Sequence, residues 1–553
     1  MNKIIIIITG FFLSTLMISS CVKDLDVTPL DPNKILAGNL NDDPEYMKQA
    51  LAKIYGSFTL VGQGANGGSD INVSDVNFFT TARALWNLQE ITTDEAICGW
   101  GDVGIADLNT QTWSAQNLFL TALYQRLILS VTYANEFIRN ANNSSDPAMI
   151  KYKAEARYLR ALAYAWSMDL FGNPAFTTDA DPVGAVFPKQ LDLDFITGRK
   201  KLFNYVVSEL HAIEGDLGEP KFSYPQADKA ACWMLLARVY LNAKVFYGTA
   251  KWDSCEIYCN KVITSGKYSL AANYRQNFSA DNDGLHNPEM IFAFAMDGVN
   301  SQGPVSTTFI IQSSSDPVYL NSQVYHDLPG NPNWNGNRTK KQFMYVLLGD
   351  TTAVYGNNPI PWTSGYTFNS ASDPQIKDTR IYCKVKKQAD IPSASSSGDY
   401  GIGVYKFTAR NTDGTRAANY STDYASTDLP VFRYADALMM RAEARYRKGD
   451  VAGAVEDINT VRARAFKNDP AGVITADQLT DKFLLDERGR EFYYEAQRRT
   501  DLVRFDKFTD GNYNWAWKGG AYNGTNTDKK LNIFPIPGDE ISANSNIKQN
   551  PGY

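Results

Sequence analysis

The chain has 553 residues, 44% hydrophobic, 21% charged and 12% aromatic, a length too great for one ordinary core and a composition that excludes a wholly disordered protein. A net charge of −6 argues against nucleic acid, whose phosphates call for a basic patch, and three His and six Cys leave little for a metal cluster. Ten Trp and 31 Tyr are more than a routine core requires, so some belong to a surface or a site.

Lys3 is the only charge before position 21, and it precedes an isoleucine run over 4–8 and then Phe11-Phe12-Leu13. A positive start followed by a short apolar stretch predicts a secretory signal peptide over 1–20; Thr9, Gly10 and Ser14 interrupt it too early for a membrane span. The stretch ends in Ile18-Ser19-Ser20-Cys21, which resembles the bacterial lipoprotein box and makes Cys21 the acylated residue. Several acyl chains on one residue anchor more firmly than one. The following Val22-Lys23-Asp24 is similar to an export signal of lipoproteins that reach the outer face of the outer membrane, and 21–42 reads as a linker. Five Cys then remain: Cys98, Cys232, Cys255, Cys259 and Cys383. An odd number leaves at least one free thiol, and Cys255 and Cys259, without a second pair at zinc spacing, read as buried apolar residues.

Helical periodicity dominates 43–267 and 429–553. Ile150, Ala154, Tyr158, Ala161, Ala165 and Met168 form one stripe, stopped by Gly172 and Pro174. Segments 118–141 and 150–171 make a helix pair, and 230–246 with 252–265 another. Val431, Ala435, Leu438, Ala442 and Tyr446 face Val451, Ala454, Val455, Ile458 and Val461 across Gly449, suited to a left-handed C′ position, and Asp450, suited to an N-cap. Ala-rich helix pairs of roughly 34 residues are the tetratricopeptide style of repeat. Between 268 and 428 the period fades into Gly, Pro, Asn and Ser clusters with short strand-like runs such as Ile291-Phe292-Ala293-Phe294. The predicted fold is therefore mainly α, a tetratricopeptide-like scaffold of helical pairs (43–267 and 429–553) with an inserted, loop-rich, mixed α/β cap (268–428).

Four segments together resemble the SusD/RagB family of outer-membrane nutrient-binding lipoproteins. They are Lys153-Ala154-Glu155-Ala156-Arg157-Tyr158; Arg433-Tyr434-Ala435-Asp436 with Arg441-Ala442-Glu443-Ala444; Glu487-Arg488-Gly489-Arg490-Glu491-Phe492 with Asp501-Leu502-Val503-Arg504; and Phe534-Pro535-Ile536-Pro537 with Gln549-Asn550-Pro551-Gly552-Tyr553. Asp94-Glu95 and Trp334-Asn335-Gly336 look like family segments as well. The resemblance implies a helical-repeat protein that binds glycan and sits over a SusC-like TonB-dependent transporter of the outer membrane, with no cofactor and no catalysis.

Glu487, Glu491 and Glu495 are four apart and share a helical face, where two carboxylates stand in principle at glycosidase separation; a semi-buried ion-pair network is the plainer reading. His211, His286 and His326 share no context for a triad, and Asp281-Asn282-Asp283-Gly284 reads as a polar turn rather than a calcium loop.

A sugar ring needs flat aromatic platforms for its C–H face and amides or charges for its hydroxyl rim. Trp166, Trp233 and Trp252 lie in helical patterns, Trp515 and Trp517 in a structural segment, and Trp86 and Trp113 suit either role. Trp100 in Gly99-Trp100-Gly101-Asp102, Trp334 in Asn333-Trp334-Asn335-Gly336-Asn337-Arg338, and Trp362 in Pro361-Trp362-Thr363 occupy polar, glycine-rich loops. Candidate ligand contacts are thus Trp100, Asp102, Trp334, Asn335, Arg338 and Trp362, with Trp100 and Trp334 favoured by the family's glycan-facing side. The expected function is capture of an oligosaccharide at the outer surface for a SusC-like transporter; the alternatives are a lid subunit without ligand affinity of its own, and a glycoside hydrolase.

Overall fold

The computed structural model describes residues 43–553 except 63–68, 72–78, 142–143, 185–186, 304 and 331–332. Cys21, the signal segment and the linker lie outside the described residues. No helix among those described is long and apolar enough to cross a membrane.

The helical frame starts with α1 (Pro44–Gly56), α2 (Thr81–Trp86, continued as a π-turn over Asn87–Ile91), α3 (Leu118–Asn140) and α4 (Pro147–Leu170). It goes on through α5 (Phe195–Ile213), α6 (Lys229–Leu241) and α7 (Trp252–Thr264). Local chemistry sets the ends. Asn117, Asp146 and Asp228 accept backbone N–H groups at the starts of α3, α4 and α6, and Pro147 occupies the first turn of α4, where no N–H is needed. Gly172, at φ +72°, ends α4 in the left-handed region open to glycine. Ala154, Ala161 and Ala165 are buried, and the small side chains let neighbouring helices approach closely; Ile150, at the head of that stripe, is exposed instead.

The middle of the chain carries short elements: α8 (Thr307–Ser314), α9 (Ser322–Tyr325) and α10 (Lys341–Leu348). The described residues form seven strands: β1 (Ile97–Cys98), β2 (Met290–Phe294), β3 (Asn337–Arg338), β4 (Thr367–Phe368), β5 (Cys383–Val385), β6 (Ile402–Val404) and β7 (Leu429–Arg433). β1 pairs with β3, β2 with β7, and β4-β5-β6 form a small antiparallel sheet. Val431, expected on a helix, lies in β7, because the segment is claimed by pairing with the wholly buried β2 before the helix begins.

The frame resumes with α11 (Tyr434–Lys448), α12 (Val451–Ala465), α13 (Asp481–Phe492) and α14 (Arg498–Arg504). Gly449 is left-handed at φ +90°, and the Asp450 carboxylate accepts from Gly453 N–H at 3.0 Å, so the α11–α12 hairpin forms as the sequence reads. Helices pack in series: α3 on α4, α4 on α5, α6 on α7, α7 on α11 and α11 on α12. The C-terminal pair thus continues the layer begun by the N-terminal pairs, in the tetratricopeptide-like manner. All five described Cys are buried free thiols.

A buried ion-pair cluster joins the parts. Arg433 binds Glu289, Glu491 at 3.1 Å and Glu495 at 2.8 Å; Arg464 binds Glu289 at 2.9 Å and Glu491 at 2.6 Å. Glu487 is held by Arg380, Arg462 and Arg490 at 2.8, 2.7 and 2.9 Å. The helix expected to carry all three glutamates ends at Phe492, and Tyr494 and Ala496 are left-handed, so Glu495 reaches Arg433 from the turn that follows. Burial alone would raise the Glu487 carboxyl; the three guanidiniums around it hold it well below the usual carboxylate range. Glu487 and Glu491, both held below the usual carboxylate range, brace one element against another, which is the opposite of the raised, proton-donating acid that glycoside cleavage requires.

Candidate functional site

The site is assembled from segments remote in the chain. In the β1–β3 ladder Ile97 faces Arg338 and Cys98 faces Asn337, and Gly99 N–H extends it to the Gly336 carbonyl at 2.9 Å. Asn109 clips β1 from the other side, accepting from Cys98 N–H at 3.0 Å and donating to its carbonyl at 2.8 Å. The pairing delivers Trp100 to Trp334. The Trp100 indole N–H donates to the Trp334 carbonyl at 2.8 Å, and the ring centroids stand 6.4 Å apart with planes inclined by 59°. Both residues are half-buried, packed at the edge of the core.

The loop under Trp334 is docked onto the end of α8. The N–H groups of Trp334, Asn335 and Gly336 donate to the carbonyls of Gln312, Ser315 and Ser313 at 3.1, 2.8 and 2.8 Å. A helix end leaves such carbonyls without partners, so helix and loop satisfy each other. Asn335 sits at φ +50°, a conformation Asn tolerates better than most residues. Gly336 packs against the indole: a Cβ there would lie 2.2 Å from Trp100 Cε2, so the ring would have to shift. Behind Trp100, the Arg83 guanidinium lies 5.4 Å from its ring and 5.1 Å from that of Phe309, which touches Trp100 edge-on at 6.1 Å. The cation and the second ring hold the indole plane in place.

The polar candidates divide. Asn335 stays at the surface, its amide N–H donating to Asp399 and its carbonyl accepting from Lys386, each at 2.8 Å. The hydrogen bond from Asn335 keeps the Asp399 carboxyl below the usual range, and burial brings the Lys386 ammonium down to about 8. Asp102 is exposed, 3.9 Å from Arg83. Arg338, expected to contact ligand, is fully buried: it donates to the carbonyls of Tyr400, Gly336 and Ser396 at 3.0, 2.9 and 2.8 Å. Its β3 register turns the guanidinium inward, so it fastens the loop 396–400 to the site and offers nothing to a ligand. Trp362 is not brought to the pair; it packs on Tyr345 and Phe368, with the Lys341 ammonium 5.1 Å from its ring.

Of the remaining Trp, Trp86, Trp113 and Trp515 are buried. Trp166 is half-buried against Phe58 and Phe294. Arg83, Asn109, Lys386 and Asp399 build the site, yet no local motif marks them in the sequence, because each reaches it only through a tertiary contact.

The family model of the SusD family matches residues 334–553. The chain is 33% identical to the starch-binding protein SusD of Bacteroides thetaiotaomicron, across 97% of this chain and 96% of that protein. This chain belongs to the SusD family. Among solved structures, a SusD homolog from Bacteroides thetaiotaomicron matches with TM-score 0.67 at 18% identity, covering 94% of this chain and 99% of its own. Surface glycan-binding protein A from the same organism, solved with laminarihexaose, matches with TM-score 0.62 at 18% identity over 92% and 99%. At that identity the solved structures speak for the SusD fold, and the sites must be argued from the side chains of this chain.

Proposed function

We propose that this SusD-family chain is a surface lipoprotein, anchored through acylated Cys21 and facing the cell exterior. It binds an oligosaccharide across Trp100 and Trp334 and passes it to a SusC-like TonB-dependent transporter of the outer membrane. In this reading 43–267 and 429–553 are the frame, and 268–428 is the cap that carries Trp334. The observation that carries the reading is the indole pair: two half-buried tryptophans, fixed from behind by Arg83, Phe309 and the docked loop. Rigid aromatic faces bury the C–H side of a pyranose without an ordering cost, and Asn335, Asp399 and Asp102 stand at the rim for its hydroxyls.

Rings inclined by 59° suit a glycan that curves from one residue to the next better than a flat ribbon. Together with a 33% identical relative named for starch binding, this makes a linear α-glucan the first ligand to test. The protein captures and does not cleave, since the carboxylates of α13 are locked to guanidiniums.

Calorimetry with maltoheptaose, on the soluble chain without residues 1–21, tests the assignment. Trp100→Ala and Trp334→Ala are each expected to weaken binding about tenfold or more. Unchanged affinity in both variants would overturn the site and leave the family membership standing.

A further inference from the structure

A cavity of about 300 Å³ opens between the turn Tyr274–Phe278, the end of α9 and the segment 405–414, lined among others by Arg275, Arg410, Tyr325, Tyr405, Thr408 and Thr412. None of these residues belongs to the Trp100–Trp334 site. The volume lies at the small end of ligand pockets, suited to a single monosaccharide rather than to a chain.

Its charge runs against that of the acidic chain. Arg275 gives Nη2 to the Tyr405 carbonyl at 3.3 Å and lies 4.9 Å from the Tyr382 ring, yet it reaches no carboxylate among the described residues and its buried Nε has no acceptor. Arg410 comes no nearer than 4.0 Å to Asp327, because Arg416 occupies that carboxylate at 2.8 Å; the Arg410 Nε is also buried without an acceptor. Asp281 is committed as well, accepting from the Thr412 N–H and hydroxyl at 2.8 Å each. Lys384 adds a third cation behind the Tyr325 hydroxyl at 2.8 Å. Buried His326 registers the same field: burial and then Arg275 and Arg410, against a backbone hydrogen bond with Phe407, bring its pKa down to about 3. Both Nε atoms are closed to the cavity, so an anion there would meet the remaining guanidinium N–H groups, which have no carboxylate nearer than 4.0 Å among the described residues.

The walls specify more than an anion. Tyr325 and Tyr405 meet at 5.4 Å and 63°, forming an apolar corner, and the Thr408 and Thr412 side chains lie beside it. A ligand that satisfies all of this carries one carboxylate for the guanidiniums, a C–H face for the tyrosines and hydroxyls for the threonines. We propose that this cavity is a second binding site, selective for an acidic monosaccharide of the hexuronate class. It stands apart from the Trp100–Trp334 reading and does not depend on it.

The test is calorimetry of the soluble chain with sodium glucuronate, using glucose and sodium sulfate as controls at equal ionic strength. Glucuronate is expected to bind at least about tenfold more tightly than glucose or sulfate, since an Arg–carboxylate pair contributes a charge-assisted bidentate contact. Arg275→Gln and Arg410→Gln should each reduce glucuronate affinity about tenfold or more, with the thermal transition retained. The double variant Trp100→Ala, Trp334→Ala should leave it unchanged. No heat with glucuronate at roughly 10 mM overturns the proposal. So does equal affinity for glucose or for sulfate, or glucuronate binding that survives both arginine changes. If an arginine variant fails to fold, glucuronate against glucose on the unaltered chain still decides the matter.

Discussion

Around Trp100 and Trp334 two cations, Arg338 and Lys386, are spent on the protein: Arg338 holds three backbone carbonyls, and Lys386 holds Asn335, the Gly398 carbonyl and, at 3.3 Å, Asp316. Around the Arg275–Arg410 cavity the guanidiniums keep buried N–H groups without acceptors. The residue types are alike and the commitments opposite. Where cations are consumed by the scaffold, the surface they support presents rings and amides, which suits the proposed neutral sugar; where they are left over, the pocket suits the proposed anion. The contrast shows why an arginine in a glycine-rich loop says nothing about ligand charge until its partners are known.

The sharpest way to break the contrast is to remove the commitment. Arg338→Met leaves the carbonyls of Tyr400 and Ser396 without their donor and takes one of two donors from the Gly336 carbonyl, and a loss of about 3 kcal/mol in stability is expected by urea denaturation, with maltoheptaose binding lost alongside. If Arg338 instead touched ligand directly, affinity would fall while stability held. Next in size, Trp334→Ala should cost about 2 kcal/mol of maltoheptaose affinity with the melting transition retained, read by calorimetry beside Arg275→Gln, which should leave that affinity intact.

A smaller effect is expected from Gly336→Ala. Its methyl would crowd the Trp100 ring and tilt it, weakening glycan binding by about 1 kcal/mol without touching any residue of the arginine cavity. Comparable losses of maltoheptaose and glucuronate binding would mean that the two sites are coupled.

The smallest effect concerns pH. Burial holds Lys386 down to about 8, so above that pH the unfolded chain, with its lysine near ~10.4, carries the extra proton. Stability from this residue therefore rises between pH 8 and the unfolded value. Lys386→Met should flatten the rise by about 1 kcal/mol or less across one pH unit in urea titrations. Lys406 is shifted in the same direction, so the measured quantity is the difference between variant and wild type.

Much of the frame was legible because its determinants are local. The α11–α12 hairpin follows from two apolar stripes, Gly449 and Asp450, and the end of α4 from Gly172. Val431 was misplaced because an apolar residue four before Ala435 fits a helical stripe as well as a strand, and only the partner β2 decides between them. Trp100 and Trp334 stood out by loop context, but the same context made Arg338 look like a ligand donor and Trp362 like a third platform.

The sequence by itself determined the helical pairs, their caps and the short set of tryptophans that packing did not claim, since periodicity, capping and turn chemistry act over a few residues. Only the tertiary structure decided which of those tryptophans meet. Trp100 and Trp334 are 234 residues apart, and they become neighbours because β1 finds β3 and a loop finds the carbonyls at the end of α8. The charge offered to a ligand was decided there too, since a guanidinium binds an anion only if the fold has not already given it an oxygen.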